Sequence, residues 1–198
     1  MATVVVPFRS TDPKRRLAAV VEPDRVRLAH AMLADVLAAA MPLGDVLVVA
    51  GAPPSLPAGV RHVDDPRHGQ GAAVRAALDA AVAAGLPAPY LVVNADLPAA
   101  TARDLLALAG ALPEDGLALV AAADGTTNAL ALSGERLFEP VYGPGSAERF
   151  AALAPTTRLD APNLIDDVDT FDDLARLGER LGEHTRRVLA SLHLESAA

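Results

Sequence analysis

Tyr90-Leu91-Val92-Val93-Asn94-Ala95-Asp96-Leu97-Pro98 places an uninterrupted apolar run directly before an acid. The run shows no polar alternation, so both of its faces are covered, as in a mostly parallel sheet with helices packed on either side. Asp96 then stands where the strand stops. Ligands of open α/β sheets collect at the carboxyl ends of the strands, so an acid there faces the crevice. An Asp in this place also caps turns, here one stiffened by Pro98, and the stretch alone leaves both roles open.

Outward from this strand, the two periodicities alternate. Val4-Val5-Val6 is a buried first strand ended by Pro7. Pro23 suits a first helical turn, and Val26, Ala29, Leu33, Val36, Leu37 and Ala40 keep a helical period to about Met41. Val46 to Ala50 and Val60 to Val63 read as short strands. Gly71 opens a helix with Val74, Ala77, Leu78, Ala81 and Val82 on one face and Gly85 just past its end. Thr101 and Asp104 form a capping box before a leucine-rich helix. Leu117 to Ala121 and Asn128 to Leu132 are two strands around a polar turn, and Ser146 opens a further helix. Thr170 and Asp173 make a second capping box, leading Phe171, Leu174, Leu177 and Leu181 into a last amphipathic helix. The alternation predicts a single α/β domain, a doubly wound, mostly parallel sheet with helices on both faces. Residues 182–198 read as a weaker, more polar helix that frays or packs on a partner.

At 198 residues and 52% hydrophobic, the chain has the size and the apolar share for one sizeable core. It has no cysteine, which excludes disulfides, thiolate metal sites and cysteine nucleophiles. A net charge of −8 with no Lys/Arg-rich run disfavours nucleic acid as a partner. Positive charge gathers once, at Arg9, Lys14, Arg15 and Arg16, which suits a small anionic substrate. No basic segment precedes the apolar run at the N-terminus, and Pro7 ends it, so neither a signal peptide nor a membrane span is expected and the cytoplasm is the expected compartment. His30, His62, His184 and His193 have no partner pattern, His68 only borders a loop, and Ser146 has no evident base.

Chemistry concentrates in three places. In Asp166-Asp167-Val168-Asp169, the carboxylates of 167 and 169 share one side of an extended segment. Close negative charges call for a cation or a helix N-terminus, and N-capping by Asp169 or Thr170 is an equal alternative for this segment alone. Together with Asp96, Asp167 and Asp169 form the oxygen-rich set that magnesium prefers. The third place is spread over glycine-rich loops. Asp124-Gly125-Thr126-Thr127-Asn128 offers amides and hydroxyls to a phosphate, and Tyr142-Gly143-Pro144-Gly145-Ser146 does so at a predicted helix start. His68-Gly69-Gln70-Gly71 precedes another helix. None of these is a Walker sequence or a dinucleotide fingerprint, and each alone is commonly a turn that needs glycine.

Taken in order, Pro7 and the loop to Lys14-Arg15-Arg16-Leu17, Asn94-Ala95-Asp96-Leu97-Pro98, Gly125-Thr126-Thr127-Asn128-Ala129-Leu130, Tyr142-Gly143-Pro144-Gly145-Ser146 and Asp167-Val168-Asp169-Thr170 with Asp173-Leu174 resemble one family. These are the guanylyltransferases of coenzyme F-420 biosynthesis, relatives of the molybdopterin guanylyltransferases. The resemblance runs to about Leu177 and implies a Rossmann-like nucleotidyltransferase fold over residues 1–181, followed by the helical tail at 182–198. It implies transfer of GMP from GTP to phosphoenolpyruvate or 2-phospho-L-lactate with release of pyrophosphate, and a homodimer is in keeping with it. By the resemblance, Asp96, Asp167 and Asp169 hold magnesium, with Asp96 also catalytic. Lys14 and Arg16 are then catalytic residues facing the triphosphate. Arg9, Gly69, Gln70 and Gly71 bind nucleotide, while Thr127, Asn128, Gly143 and Ser146 seat the phosphorylated acid. The chain departs from the family at Phe8-Arg9, where a Lys is usual after the first strand, and at Gly69-Gln70-Gly71, where Gly-Leu-Asn is usual. The same chemistry on 3-phosphoglycerate or a molybdopterin, and a non-catalytic nucleotide-binding module, are the alternatives.

Overall fold

The computed structural model describes residues 1–9 and 22–192. Seven strands form one sheet: β1 (Ala2–Pro7), β2 (Gly44–Ala50), β3 (Val60–Asp64), β4 (Tyr90–Val93), β5 (Leu117–Ala121), β6 (Thr127–Leu132) and β7 (Thr156–Arg158), in the order β3-β2-β1-β4-β6-β5-β7. All pairs are parallel except those of β6, which runs against both β4 and β5. The reversal has a local cause. Residues 122–126 close a tight turn, with Ala122 N–H donating to the Thr126 carbonyl at 2.9 Å and Asp124 accepting from the Thr126 N–H and hydroxyl. A link this short joins only antiparallel strands.

Successive residues of the central strands feed opposite faces. Val4, Val6, Val46, Val48, Leu91 and Val93 pack under α1 (Glu22–Ala40), α3 (Ala102–Gly110) and α6 (Phe171–Leu177). Val5, Leu47, Val49, Tyr90 and Val92 pack under α2 (Gln70–Ala83) and α4 (Ser146–Ala151). Tyr90–Val93 is buried throughout, as its composition requires. The sheet is therefore mostly parallel with helices on both faces, each buried Leu or Val contributing about 1.5–3 kcal/mol. Glu22–Leu43 is long and apolar enough to cross a membrane, yet Leu28, Met32, Leu33, Val36 and Leu37 are buried beneath the sheet, as in a core helix.

Both capping boxes form. Thr101 and Thr170 accept from the N–H groups of Asp104 and Asp173, whose carboxylates bond back to the cap N–H groups. The last amphipathic stretch is shorter than its leucine spacing predicts: α6 ends at Leu177, because Gly178 adopts φ +49° and a 3-10 turn replaces the helix. Two short elements carry no apolar period and escape a sequence reading, namely β7 and α5 (Pro162–Ile165).

Beyond them, α7 (Glu183–Ser191) lies against α1. Asp35, in the middle of α1 and only 5% exposed, accepts the N–H groups of His184 and Thr185, each at 2.9 Å. It supplies the acceptor that the first turn of α7 lacks locally. A Cβ at Gly182 would lie 2.2 Å from the Asp35 carboxyl carbon, so the chain can pass this close only as glycine.

Candidate active site

β1 and β4 are neighbours across which the chain order reverses, the position where open α/β sheets leave a crevice at their carboxyl edge. Three segments converge there. β4 ends at Val93, and Asp96 follows on the turn after it. Because β6 is reversed, its first residues rather than its last reach this edge, and the Asn94 N–H donates to the Asn128 carbonyl at 3.0 Å. Residues 166–169 return from the far side of the sheet, where the Val168 N–H donates to the Asp96 carbonyl at 3.0 Å. Asp96, Asp167 and Asp169 are thereby brought together half-buried, with a carboxylate oxygen of each within 4.8 Å of the others.

Negative groups held this close raise one another's charging cost unless a cation lies among them. The donors are all hard oxygens on two loops fixed to each other by a backbone hydrogen bond. That chemistry fits a divalent ion of the magnesium kind, which takes few carboxylates and completes its shell with water and phosphate oxygen. Among the described residues, this is the group of three acids that meets the geometry.

Asp166, next in sequence, is used differently. It accepts from Arg176 and, at 2.9 Å, from Arg180. Burial raises its carboxyl, but the two guanidinium hydrogen bonds outweigh that and hold it below the usual carboxylate range. Asp173 serves the backbone of the same segment, accepting from the N–H groups of Asp169 at 3.1 Å and Thr170 at 2.8 Å, from the Thr170 hydroxyl and from Arg176. Burial again opposes ionisation, and these donors bring its carboxyl to about 2. The cap of α6 is therefore Thr170, and the Asp169 carboxylate stands with those of Asp96 and Asp167.

A chain of carboxamides runs along the floor of the crevice. Gln70 donates to Asn94 at 2.8 Å, Asn94 to the Thr127 carbonyl at 3.3 Å and to Asn128 at 3.4 Å. Asn128 donates to the Ile165 carbonyl at 2.9 Å and to Asp167 at 3.4 Å. The buried hydroxyls of Thr127 and Ser146 lie 3.0 Å apart, and the Ala147 N–H donates to the Gly125 carbonyl at 3.2 Å. The two glycine-rich loops thus form one surface, with Gly143 at φ +109° and Gly145 at φ +70°, backbone that glycine adopts without strain.

Gly69 sits at φ +90° at the start of α2. Gly71 follows it, buried against Pro140, and a Cβ there would come within 2.6 Å of the Pro140 Cβ. Position 71 thus serves close packing between α2 and the 138–145 loop. Arg9 is exposed just past β1, where the Phe8 N–H still donates to the Val49 carbonyl. Lys14 and Arg16 lie outside the described residues. Sequence reasoning did not single out Asn94 or Arg149 as functional, nor Arg176 and Arg180 as partners of Asp166. Only Asn94 carried a signal, an amide between a buried strand and an acid.

Residues 25–194 match the MobA-like NTP transferase domain. The chain belongs to that family. Among curated relatives, phosphoenolpyruvate guanylyltransferase of Sphaerobacter thermophilus is 36% identical over 89% of this chain and 93% of its own length. The 2-phospho-L-lactate guanylyltransferase of Halobacterium salinarum is 39% identical over 86% of this chain and 81% of its own. Solved structures agree on the fold. 2-C-methyl-D-erythritol 4-phosphate cytidylyltransferase of Thermus thermophilus superposes with a TM-score of 0.61 at 16% identity, over 96% of this chain and all of the other. A nucleotidyl transferase of Methanothermobacter gives 0.57 at 17% identity, over 97% and 99%. The MobA-like NTP transferase fold thus carries the carboxylates, the amide chain and the hydroxyl pair at one edge of its sheet.

Proposed function

We propose that this MobA-like NTP transferase is a guanylyltransferase that joins GMP from GTP to a small phosphorylated carboxylic acid, phosphoenolpyruvate or 2-phospho-L-lactate, and releases pyrophosphate. One observation carries the reading: the Asp96, Asp167 and Asp169 carboxylates lie within 4.8 Å of one another, and the loop that holds Asp167 is hydrogen-bonded to the strand that carries the Thr127 and Asn128 side chains. Guanylyltransferase relatives of both acceptor classes, similar over most of the chain, support it.

The reaction is an in-line exchange at the α-phosphorus. An oxygen of the acceptor's phosphate forms the new P–O bond while the bond to the β-phosphate oxygen breaks and pyrophosphate leaves with that electron pair. The second pKa of a phosphate monoester is about 6, so the nucleophile is already anionic at neutral pH and needs no general base. The residues of this chain then act by placement and charge. Asp96, Asp167 and Asp169 would hold magnesium, which supplies charge neutralisation to the phosphates when bound. The Thr127 and Ser146 hydroxyls, with the Gly143 amide, orient the acceptor. Asn128 fixes Asp167 from the side. Arg9, Gly69 and Gln70 line the nucleotide end, and Lys14 and Arg16 are assigned to the departing pyrophosphate.

The test is pyrophosphate release with GTP and magnesium, offering phosphoenolpyruvate, 2-phospho-L-lactate and 3-phosphoglycerate separately. Release that requires one of the first two acids is the expected result and names the acceptor. No release with any acid, despite measurable GTP binding, would overturn the reading.

A further inference from the structure

The acceptor loop, residues 138–145, has its conformation held from two sides. On one side α2 grips its start. Arg75 donates to the carbonyls of Glu135 and Phe138, its guanidinium lies 4.9 Å from the Phe138 ring centroid, and Pro140 rests on Gly71. On the other side stands Arg149 of α4, which the proposed reaction does not use. Its guanidinium donates to three loop carbonyls: Val141 from Nε at 3.1 Å and Nη2 at 2.8 Å, Tyr142 from Nη2 at 3.3 Å and Pro144 from Nη1 at 2.6 Å. Five N–H donors in one rigid plane can gather carbonyls in this way, whereas an ammonium cannot match that geometry.

The gathering has a consequence for the opposite side of the loop. A trans peptide points its N–H away from its C=O. Carbonyls 141, 142 and 144 drawn toward one guanidinium therefore turn the N–H groups of Tyr142, Gly143 and Gly145 away from it. Backbone N–H groups presented on one side of a glycine-rich loop can hold an anion. Gly143 and Gly145, at φ +109° and φ +70°, allow the required backbone, and the buried Thr127 and Ser146 hydroxyls stand at the end of the same loop.

We infer that Arg149 is a positioning residue for the phosphorylated-acid acceptor: it sets the acceptor loop so that backbone N–H groups receive the acid, without touching the acid itself. The inference rests on the guanylyltransferase reading and assigns the specificity of that reaction to a residue outside its contact set. Arg149 is exposed and bonds only to backbone carbonyls of a neighbouring loop, so its replacement leaves the core intact.

The experiment compares the full-length wild type with Arg149→Lys and Arg149→Ala for pyrophosphate release, varying GTP and the active acid in turn. Loss of several charge-assisted hydrogen bonds in the loop is expected to raise KM for the acid about tenfold or more in both variants, with kcat recovered at saturating acid. KM for GTP is the internal control and stays within about twofold, since the loop is at the acceptor end of the crevice. Lysine keeps the charge but not the planar fork, so failure of Arg149→Lys to restore acid affinity is the decisive signature. Normal acid KM in Arg149→Lys would overturn the proposal, because charge alone would then suffice. Equal rises in both KM values would overturn it as well, pointing to a general loss of structure. Release by the wild type with none of the acids would remove the underlying reading and the proposal with it, a result distinct from either of the others.

Discussion

Asp166 and Asp167 are adjacent acids of one loop, and the fold gives them opposite work. Asp166 is turned to Arg176 and Arg180, and its charge is spent inside the protein. Asp167 is turned to Asp96 and Asp169, where three carboxylates meet, and the Asn128 amide donates to it at 3.4 Å. The contrast shows that an acidic run is not a unit of function. What decides the role of each carboxylate is what the fold sets opposite it: arginines of α6 and of the turn after it for Asp166, two further carboxylates for Asp167.

The sharpest way to break this contrast is to neutralise one acid of the convergent set. Asp96→Asn is expected to cut acid-dependent pyrophosphate release about a hundredfold or more, with far-UV circular dichroism and melting temperature unchanged. Near-normal turnover would remove Asp96 from the mechanism.

Asp35 extends the comparison to an acid that meets neither arginine nor other carboxylates. Its partners are two backbone N–H groups of α7, that of the buried Thr185 and that of the more exposed His184. Asp35→Ala leaves the Thr185 N–H buried without an acceptor and is expected to cost about 1–3 kcal/mol of stability, read in urea unfolding. A loss well under 1 kcal/mol would show that α7 is held by packing alone.

Asp166→Asn should have the smallest effect. Ion pairs of partly exposed arginines are worth about 1 kcal/mol or less, and a domain of this size then melts about 2–4 °C lower. Acid-dependent turnover should stay within about tenfold of wild type. A collapse of turnover as deep as that of Asp96→Asn would erase the distinction between the two neighbours.

How far these roles could be read from the sequence follows from the range of each interaction. The buried strand Tyr90–Val93 and both Thr/Asp capping boxes lie within a few residues of their own signals and stand in the structure as the spacing predicts. The reversed β6 was half legible, since the polar turn before it implies a hairpin but not which neighbours the strand joins. The partners of Asp166 were not legible, because Arg176 and Arg180 lie beyond a capping box and on two different turns. Asp35 gave no signal at all, its partners lying 149 and 150 residues away. At Gly71 the sequence showed a departure from Gly-Leu-Asn, and only the approach of Pro140 explains why a side chain is not tolerated there.

The central proposal is that Asp167, and not its neighbour, belongs to the group that would hold magnesium. The most direct measurement is the magnesium concentration giving half-maximal pyrophosphate release, taken side by side on wild type, Asp166→Asn and Asp167→Asn at saturating GTP and acid. The account predicts the same value for wild type and Asp166→Asn and a value about tenfold or more higher for Asp167→Asn. Equal shifts in both variants, or no shift in Asp167→Asn, would contradict it.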